Sequence, residues 1–361
     1  MKKAFLGLLK LLLVVILIVL VGVGGLLGWL TYTEYKPADR ETMEFFATTV
    51  DADALPAGES IDLISWNIGY AGLGAGSDFF MDGGKSARAA DKMQVSEYLA
   101  GIYSTIYSGE PEPDLILLQE VDVDSSRTYG INEAEDLGRG NAVHALNYSC
   151  PFVPLPLPPQ TPMGKVNSGL LTTTRYDVES AERISLPCPF SWPLRVANLK
   201  RCLLVSYLPI EGTDKQLVLV NLHLEAYDDG EGKIAQTKAL NDFLQSEYEK
   251  GNYVIAGGDF NQTFPGALEN YPIINPAFWT PGTLTEDMLP AGWRFAYSTE
   301  VPSCRLLNQP YDPGDTANTQ YYVIDGFILS PNVELETVEN LDLGFADSDH
   351  NPVHISVKLI G

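Results

Sequence analysis

Asp349 and His350 stand side by side near the C-terminus. A carboxylate beside an imidazole raises and orients it, so the pair could act in general acid–base chemistry. Asn351-Pro352 follows, and proline disfavours helix at the residue before it, which predicts a turn entering a strand. The same dipeptide is also a common solvated turn, so other residues must decide. Residues 321–332 (YYVIDGFILSPN) read as a strand with a single acid, Asp325, among apolar and aromatic positions. Residues 254–261 (VIAGGDFN) are an apolar run broken by two glycines, with Asp259 and Asn261 on one face. Glycine permits close backbone approach, and a carboxylate plus an amide oxygen suits a hard divalent cation such as Mg2+.

Three further apolar runs end in polar groups. Residues 114–121 (DLILLQEV) predict a buried strand that delivers Glu120 at its end. Residues 61–68 end in Asn67 beside the glycine-rich GYAGLGAG, where the amide either faces a ligand or forms the turn. In residues 216–224 (QLVLVNLHL), alternation puts Asn221 and His223 on one face and Val220, Leu222 and Leu224 on the other.

The elements that must position these residues are strands interleaved with a few helices. Residues 166–173 predict a strand opened by Asn167 and Ser168, and residues 199–208 one that starts with Lys200 and Arg201. Those two cations either meet an anionic substrate or form a surface pair. Met93, Val95, Leu99, Ile102 and Ile106 are spaced for a helix running from Ser86, and residues 232–250 for an amphipathic one. A further helix is expected over 133–146, carrying His144 as a structural residue, while Asp122 and Asp124 read as loop acids. The connection 69–85 is long for an idle loop. Its Phe79, Phe80 and Met81 are either contact groups of a substrate-side or membrane-facing flap, or a satellite core. Proline-rich residues 150–162 are extended or irregular.

Residues 11–30 carry no charged side chain. Twenty residues at ~1.5 Å each match a hydrocarbon core of ~30 Å. Lys2, Lys3 and Lys10 put the N-terminus on the cytoplasmic side. A cleaved signal peptide would carry an apolar run of ~7–15 residues and a small-x-small site, whereas GWLTYTEY follows here. The expectation is an uncleaved single-pass anchor in the cell membrane over 1–32, a polar spacer over 33–58 and one extracytoplasmic domain over 59–361. Hydrophobic residues make up 45% of the chain, enough for a sizeable core. Setting the anchor's three lysines aside takes the net charge from −24 to −27, which argues against a nonspecific DNA-binding surface. Cys150, Cys188, Cys202 and Cys304 lack C-x-x-C spacing, which argues against a zinc site and leaves their disulfide state open.

Taken in order, SWN (65–67), LQEV (118–121), NLHL (221–224), GGDFN (257–261), IDGFILS (324–330) and SDHNPV (348–353) resemble the motifs of the endonuclease/exonuclease/phosphatase superfamily. That superfamily includes DNase I-like nucleases, neutral sphingomyelinases and inositol polyphosphate phosphatases. The resemblance spans residues 60–361 and implies a four-layered α/β sandwich, two packed mixed β-sheets flanked by helices, with the site at one edge. It implies Glu120 as the main ligand of Mg2+, for which Mn2+ can substitute, with Asn67 and Asp349 close to the metal or its waters. Asp259 would orient or deprotonate water, and Asn261 would hold phosphate or metal. His350, fixed by Asp325, would bind the scissile phosphate, and His223 would be a second phosphate-facing imidazole. Asn167, Asn221 and Arg201 are the candidate substrate contacts. Abasic-site endonucleases of this fold generally lack a histidine at the NLHL strand, so this form looks more like the DNase I, sphingomyelinase and phosphatase branches. The implied substrate is a phosphate ester: a phospholipid head group, a nucleotide, a sugar phosphate or nucleic acid. The alternatives are an extracytoplasmic endonuclease and a non-catalytic binding module on the same fold, and no protein partner is indicated.

Overall fold

Side-chain alternation along the strands sorts the apolar residues into separate layers. The computed structural model describes residues 2–109, 112–228, 230–315 and 317–360. In β3 (Ser60–Asn67), Ile61 and Leu63 point into the space between two sheets, whereas Ile64 and Trp66 pack under helix α2 (Lys92–Tyr107). In β9 (Gln216–His223), Leu217 and Leu219 meet that same inter-sheet core, and Val218, Val220 and Leu222 pack against helix α4 (Glu231–Glu249). The layers are therefore helix, sheet, sheet, helix, the central strands β3 and β9 being apolar on both faces.

The first sheet has the order β17 (Val333–Asn340), β18 (Val353–Leu359), β3, β4 (Leu115–Asp122), β6 (Gly164–Thr174), β5 (Asn141–Val153), β2 (Phe45–Ala47). The second runs β1 (Arg40–Thr42), β7 (Ser180–Ser185), β8 (Cys202–Pro209), β9, β10 (Tyr253–Asp259), β16 (Asp325–Leu329), β13 (Arg294–Ala296). Both are mixed: β3–β4 and β9–β10 are parallel, and the other neighbours are antiparallel. Two short ladders complete the strands, β11 (Gln262–Thr263) with β12 (Gly282–Thr283) and β14 (Cys304–Arg305) with β15 (Tyr321–Tyr322). This is the expected sandwich.

Several local expectations change. Helix α2 begins at Lys92, because the Asp91 carboxylate accepts the Gln94 N–H at 2.9 Å and caps it there, which leaves Met93 exposed. Helix α3 is only Glu133–Leu137, and His144 lies in β5, whose pairing with β6 overrides the helix propensity of its Ala and Leu residues. Asp122 is buried in β4 in a two-pronged pair with Arg127. Residues 33–58 are more than a spacer: they supply β1 and β2, one of the two edge strands of each sheet, and the fully buried Leu55. All four cysteines are free thiols, three of them buried. Among the described residues, one helix, α1 (Lys2–Tyr32), is long and apolar enough to cross a membrane.

The inter-sheet space changes character along its length. Beyond the apolar layer come Ser65, Gln119 and Asn221, one from each of three strands. Gln119 donates to Asn221 Oδ1 at 2.8 Å and to Ser65 Oγ at 3.3 Å. Asn221 in turn donates to the Leu118 and Leu171 carbonyls at 3.1 and 2.9 Å, tying one sheet to the other. Asn221 was a candidate substrate contact. It sits fully buried within this tie, one strand repeat short of the open end.

Two predictions concern this framework. Asn221→Ala takes away the nearest acceptor of the Gln119 amide and the donor to the Leu118 and Leu171 carbonyls, and opens a void, at a cost of about 2–4 kcal/mol. Urea unfolding measures this, and a loss below about 0.5 kcal/mol would remove the inter-sheet role. The His144 imidazole, whose Nε2 lies 3.1 Å from the Val121 carbonyl, is pushed down to about 4 by burial. Because this lies below the ordinary 6.5, the unfolded chain takes the proton first as pH falls. Stability therefore drops between pH 6.5 and 4, by up to about 3 kcal/mol. His144→Gln should flatten that part of the stability–pH curve.

Candidate active site

Strand register assembles the site at the end of the polar layer. Asp259 is paired with Asp325 across β10–β16 and with His223 across β10–β9, so three titratable groups share one level. Asn67 arrives at the end of β3. Glu120 comes from β4 where the β4–β6 register slips between Leu118 and Val121, and its φ is +57°. That irregularity re-aims a side chain that plain alternation would send toward α2. The β18 side brings Asp349 and His350 in the turn before the strand. His350 is held there by Trp66, which donates to its carbonyl at 2.8 Å, and by Ser348 Oγ, which accepts its N–H at 3.2 Å. Ser348 Oγ itself donates to the Asn67 carbonyl at 2.8 Å.

Asn67, Glu120, His223, Asp259, Asn261, Asp349 and His350 all line one cavity of about 350 Å3. His350 Nδ1 is 2.8 Å from Asp325 Oδ2, which also accepts from Ser303 Oγ at 2.7 Å. Asp325 lies behind the histidine, outside the cavity lining. His350 Nε2 faces the cavity, 3.9 Å from Asp259 Oδ2. Burial would lower the His350 imidazole, but the Asp325 carboxylate overrides it and holds the ring well above 6.5. His223 Nε2 lies 3.3 Å from Asp259 Oδ2, and burial, with Arg201 and His350 nearby, pushes that ring well below 6.5. One imidazole is thus set up as a cation and the other as a neutral group.

The carboxylates crowd one another. Burial first, and then Asp325, raises Asp259 to about 7; burial raises Asp349 to about 7, with Glu120 adding repulsion against the relief from His350. Glu120, Asp349 and Asp259 are hard oxygen donors gathered at one cavity, and a divalent cation among them would offset their mutual repulsion. Two tighter donor groups, Cys304–Asp349–His350 and Asp259–Asp325–His350, fit less well. Burial keeps the Cys304 thiol protonated, up to about 12, and Asp325 is committed to His350. Asn67 enters differently from a ligand oxygen. Its Oδ1 accepts the Gly69 N–H at 3.0 Å, so its amide nitrogen faces the site, 3.0 Å from Asp259 and 3.4 Å from Glu120. Asn261, at φ +50°, donates its backbone N–H to Asp259 Oδ1 at 2.8 Å and its Nδ2 to the Leu224 carbonyl at 2.9 Å.

The remaining candidates divide. Arg201 is buried in the cavity wall, 3.7 Å from Glu225, and is no surface residue. Lys200 turns away, toward Glu34 at 3.6 Å. Asn167 lies outside the cavity lining and accepts from Ser149 Oγ at 2.9 Å, because β6 presents its neighbour Ser168 to the cavity instead. Arg127, stacked 3.5 Å over Tyr70, and the buried Arg305 line the cavity without any signal in the sequence, since neither ends an apolar run. The outer wall is apolar: Phe79, Phe80, Tyr148, Val153, Met163 and Leu199.

No curated protein matches the chain significantly. The fold has solved counterparts. One is a functionally unknown conserved protein from Enterococcus faecalis V583, at 14% identity and TM-score 0.53, covering 83% of this chain and 100% of that one. Another is an endonuclease/exonuclease/phosphatase from Beutenbergia cavernae DSM 12333, at 16% identity and TM-score 0.52, covering 84% and 72%. A third, from Bacteroides vulgatus, has 16% identity and TM-score 0.50 over 83% and 99%. At these identities the likeness concerns the fold. The family assignment comes from sequence: residues 64–350, the span running from β3 through His350, match the model of the Endonuclease/Exonuclease/phosphatase family, and the chain belongs to that family.

Proposed function

We propose that this chain is a divalent-metal-dependent hydrolase of phosphate esters that works outside the cytoplasm. The observation that carries the reading is the Asp325–His350 dyad, which presents an imidazolium to a cavity edged by Glu120, Asp349 and Asp259. Mg2+, or Mn2+ in its place, would be held by Glu120 and Asp349 and would supply charge stabilisation at the phosphoryl oxygens. Asp259, oriented by the Asn261 N–H and the Asn67 amide, accepts a proton from the attacking water. His350 stabilises charge on the phosphate and donates a proton to the departing alcohol oxygen; the proton on Asp259 then returns to His350 across the 3.9 Å gap. His223, kept neutral, steadies Asp259. Asn261 and Arg201 are the substrate contacts of this reading, and Asn67 is a positioning residue for two carboxylates.

The test uses the full chain in detergent with bis-p-nitrophenyl phosphate, p-nitrophenyl phosphate and plasmid DNA. Turnover should require Mg2+ or Mn2+, stop with EDTA, and fall about a hundred- to ten-thousand-fold in His350→Ala. Preferential plasmid nicking would identify an endonuclease instead. Asp325→Asn should do more than slow the reaction. Without that carboxylate the imidazolium loses its proton at lower pH, so the basic limb of the pH–rate profile moves to lower pH. A folded Asp325→Asn variant with an unmoved limb would refute the dyad. Glu120→Gln should abolish Mg2+ binding measured by calorimetry, and retained affinity would remove Glu120 from the metal site.

A further inference from the structure

The mouth of the cavity and the end of the membrane-grade helix are built from the same residues. Leu30, 3% exposed, and Leu26 in the last turns of α1 pack into one cluster with Tyr148, Val153, Met163 and Phe80. Those four side chains also line the cavity. The helix end is clamped in place. Trp192 Nε1 donates to Thr31 Oγ1 at 3.0 Å, and Glu34, buried beside the helix, takes Arg195 at 2.8 Å and Lys200 at 3.6 Å. Tyr35 donates to the Leu146 carbonyl at 3.4 Å, and β1 begins only at Arg40. There is no slack chain between the helix and the sheets, so a bilayer around α1 must lie flush against this face of the fold.

That face carries the apolar surface a bilayer would cover. Leu155 and Leu157 project from the loop after β5. Trp192 and Leu194 project from the loop that clamps the helix, at 56% and 68% exposure, with Leu157 at 65%. Leu155 is also a cavity-lining residue, so the exposed apolar surface reaches the cavity itself. The same cavity is lined by Asp259 and His350. A substrate that fits has a phosphate ester at one end and an apolar body at the other, and it would enter sideways from a bilayer that α1 crosses.

We propose that the cavity opens onto the bilayer and that its substrate is a membrane phospholipid, with the phosphate at His350 and the adjoining lipid body against the Phe80–Met163 wall. This rests on the proposed hydrolase reading and names its substrate class. The reaction stays balanced with water alone: one P–O bond forms to the water oxygen, and one P–O bond to a lipid or head-group alcohol breaks and takes up a proton.

The test reconstitutes the full chain into vesicles of equal parts phosphatidylcholine, phosphatidylethanolamine and phosphatidylglycerol with Mg2+. Lipid phosphate-ester cleavage is measured beside turnover of soluble bis-p-nitrophenyl phosphate. The double variant Leu157→Glu/Leu194→Glu changes two exposed rim side chains that lie outside the cavity lining. It should lose lipid cleavage at least tenfold while the soluble diester is turned over within twofold of the parent. Turnover of the soluble diester with no lipid cleaved by the parent would overturn the lipid proposal and leave the hydrolase reading standing. Equal lipid cleavage by parent and variant would overturn entry through the rim. No turnover of either substrate would sink the hydrolase reading and the lipid proposal with it.

Discussion

Two carboxylates face each other across an antiparallel pair of strands, Asp259 opposite Asp325, both almost wholly buried. Like charges directly opposite one another on a sheet repel, and burial magnifies the cost. The structure meets that cost with a cationic ring: His350 lies 2.8 Å from one acid and 3.9 Å from the other. An amide from the other sheet, Asn67, adds a donor to Asp259 at 3.0 Å. The position of the histidine therefore depends on both sheets, since Trp66 and Ser348 hold its backbone from the β3 side. Sheet packing and site charge are one problem with one solution.

The interior achieves this by grading its polarity. Deep between the sheets it is Leu and Ile; one repeat further along it is a neutral amide and hydroxyl layer; at the open end it is charged. The neutral layer needs no counter-ion and fixes the relative slide of the sheets. At that open end His223, Asp259 and His350 line the cavity, within reach of a ligand.

This gradient also explains what the sequence could and could not convey. Period-two alternation correctly puts Asn221 and His223 on one face, yet it carries no measure of depth. Two residues of strand separate a structural amide from a cavity imidazole. Asn167 shows the complementary limit, where a one-residue choice of face moves the side chain out of the lining altogether. The glycine break before Asp259 and the proline after His350 were legible because turn chemistry is local. Arg127 and Arg305 were not, because they reach the cavity from a turn and from a two-residue strand whose placement depends on the whole fold. The strands at 40–47 were equally hidden: three-residue edge strands have no periodicity of their own and exist through their partners. Phe80 satisfies both readings of its loop, filling a satellite cluster and lining the cavity.

Those edge strands have a consequence for how the catalytic part could be separated from its helix. β1 covers the free side of β7, and β2 covers the free side of β5, so one stretch of chain closes an edge of each sheet. Proteolysis or deletion upstream of residue 59 would uncover rows of unpaired N–H and C=O groups on both sheets at once. Such rows template pairing with other chains. A shed fragment beginning there would be prone to self-association through its backbone, even with every apolar residue of the anchor gone.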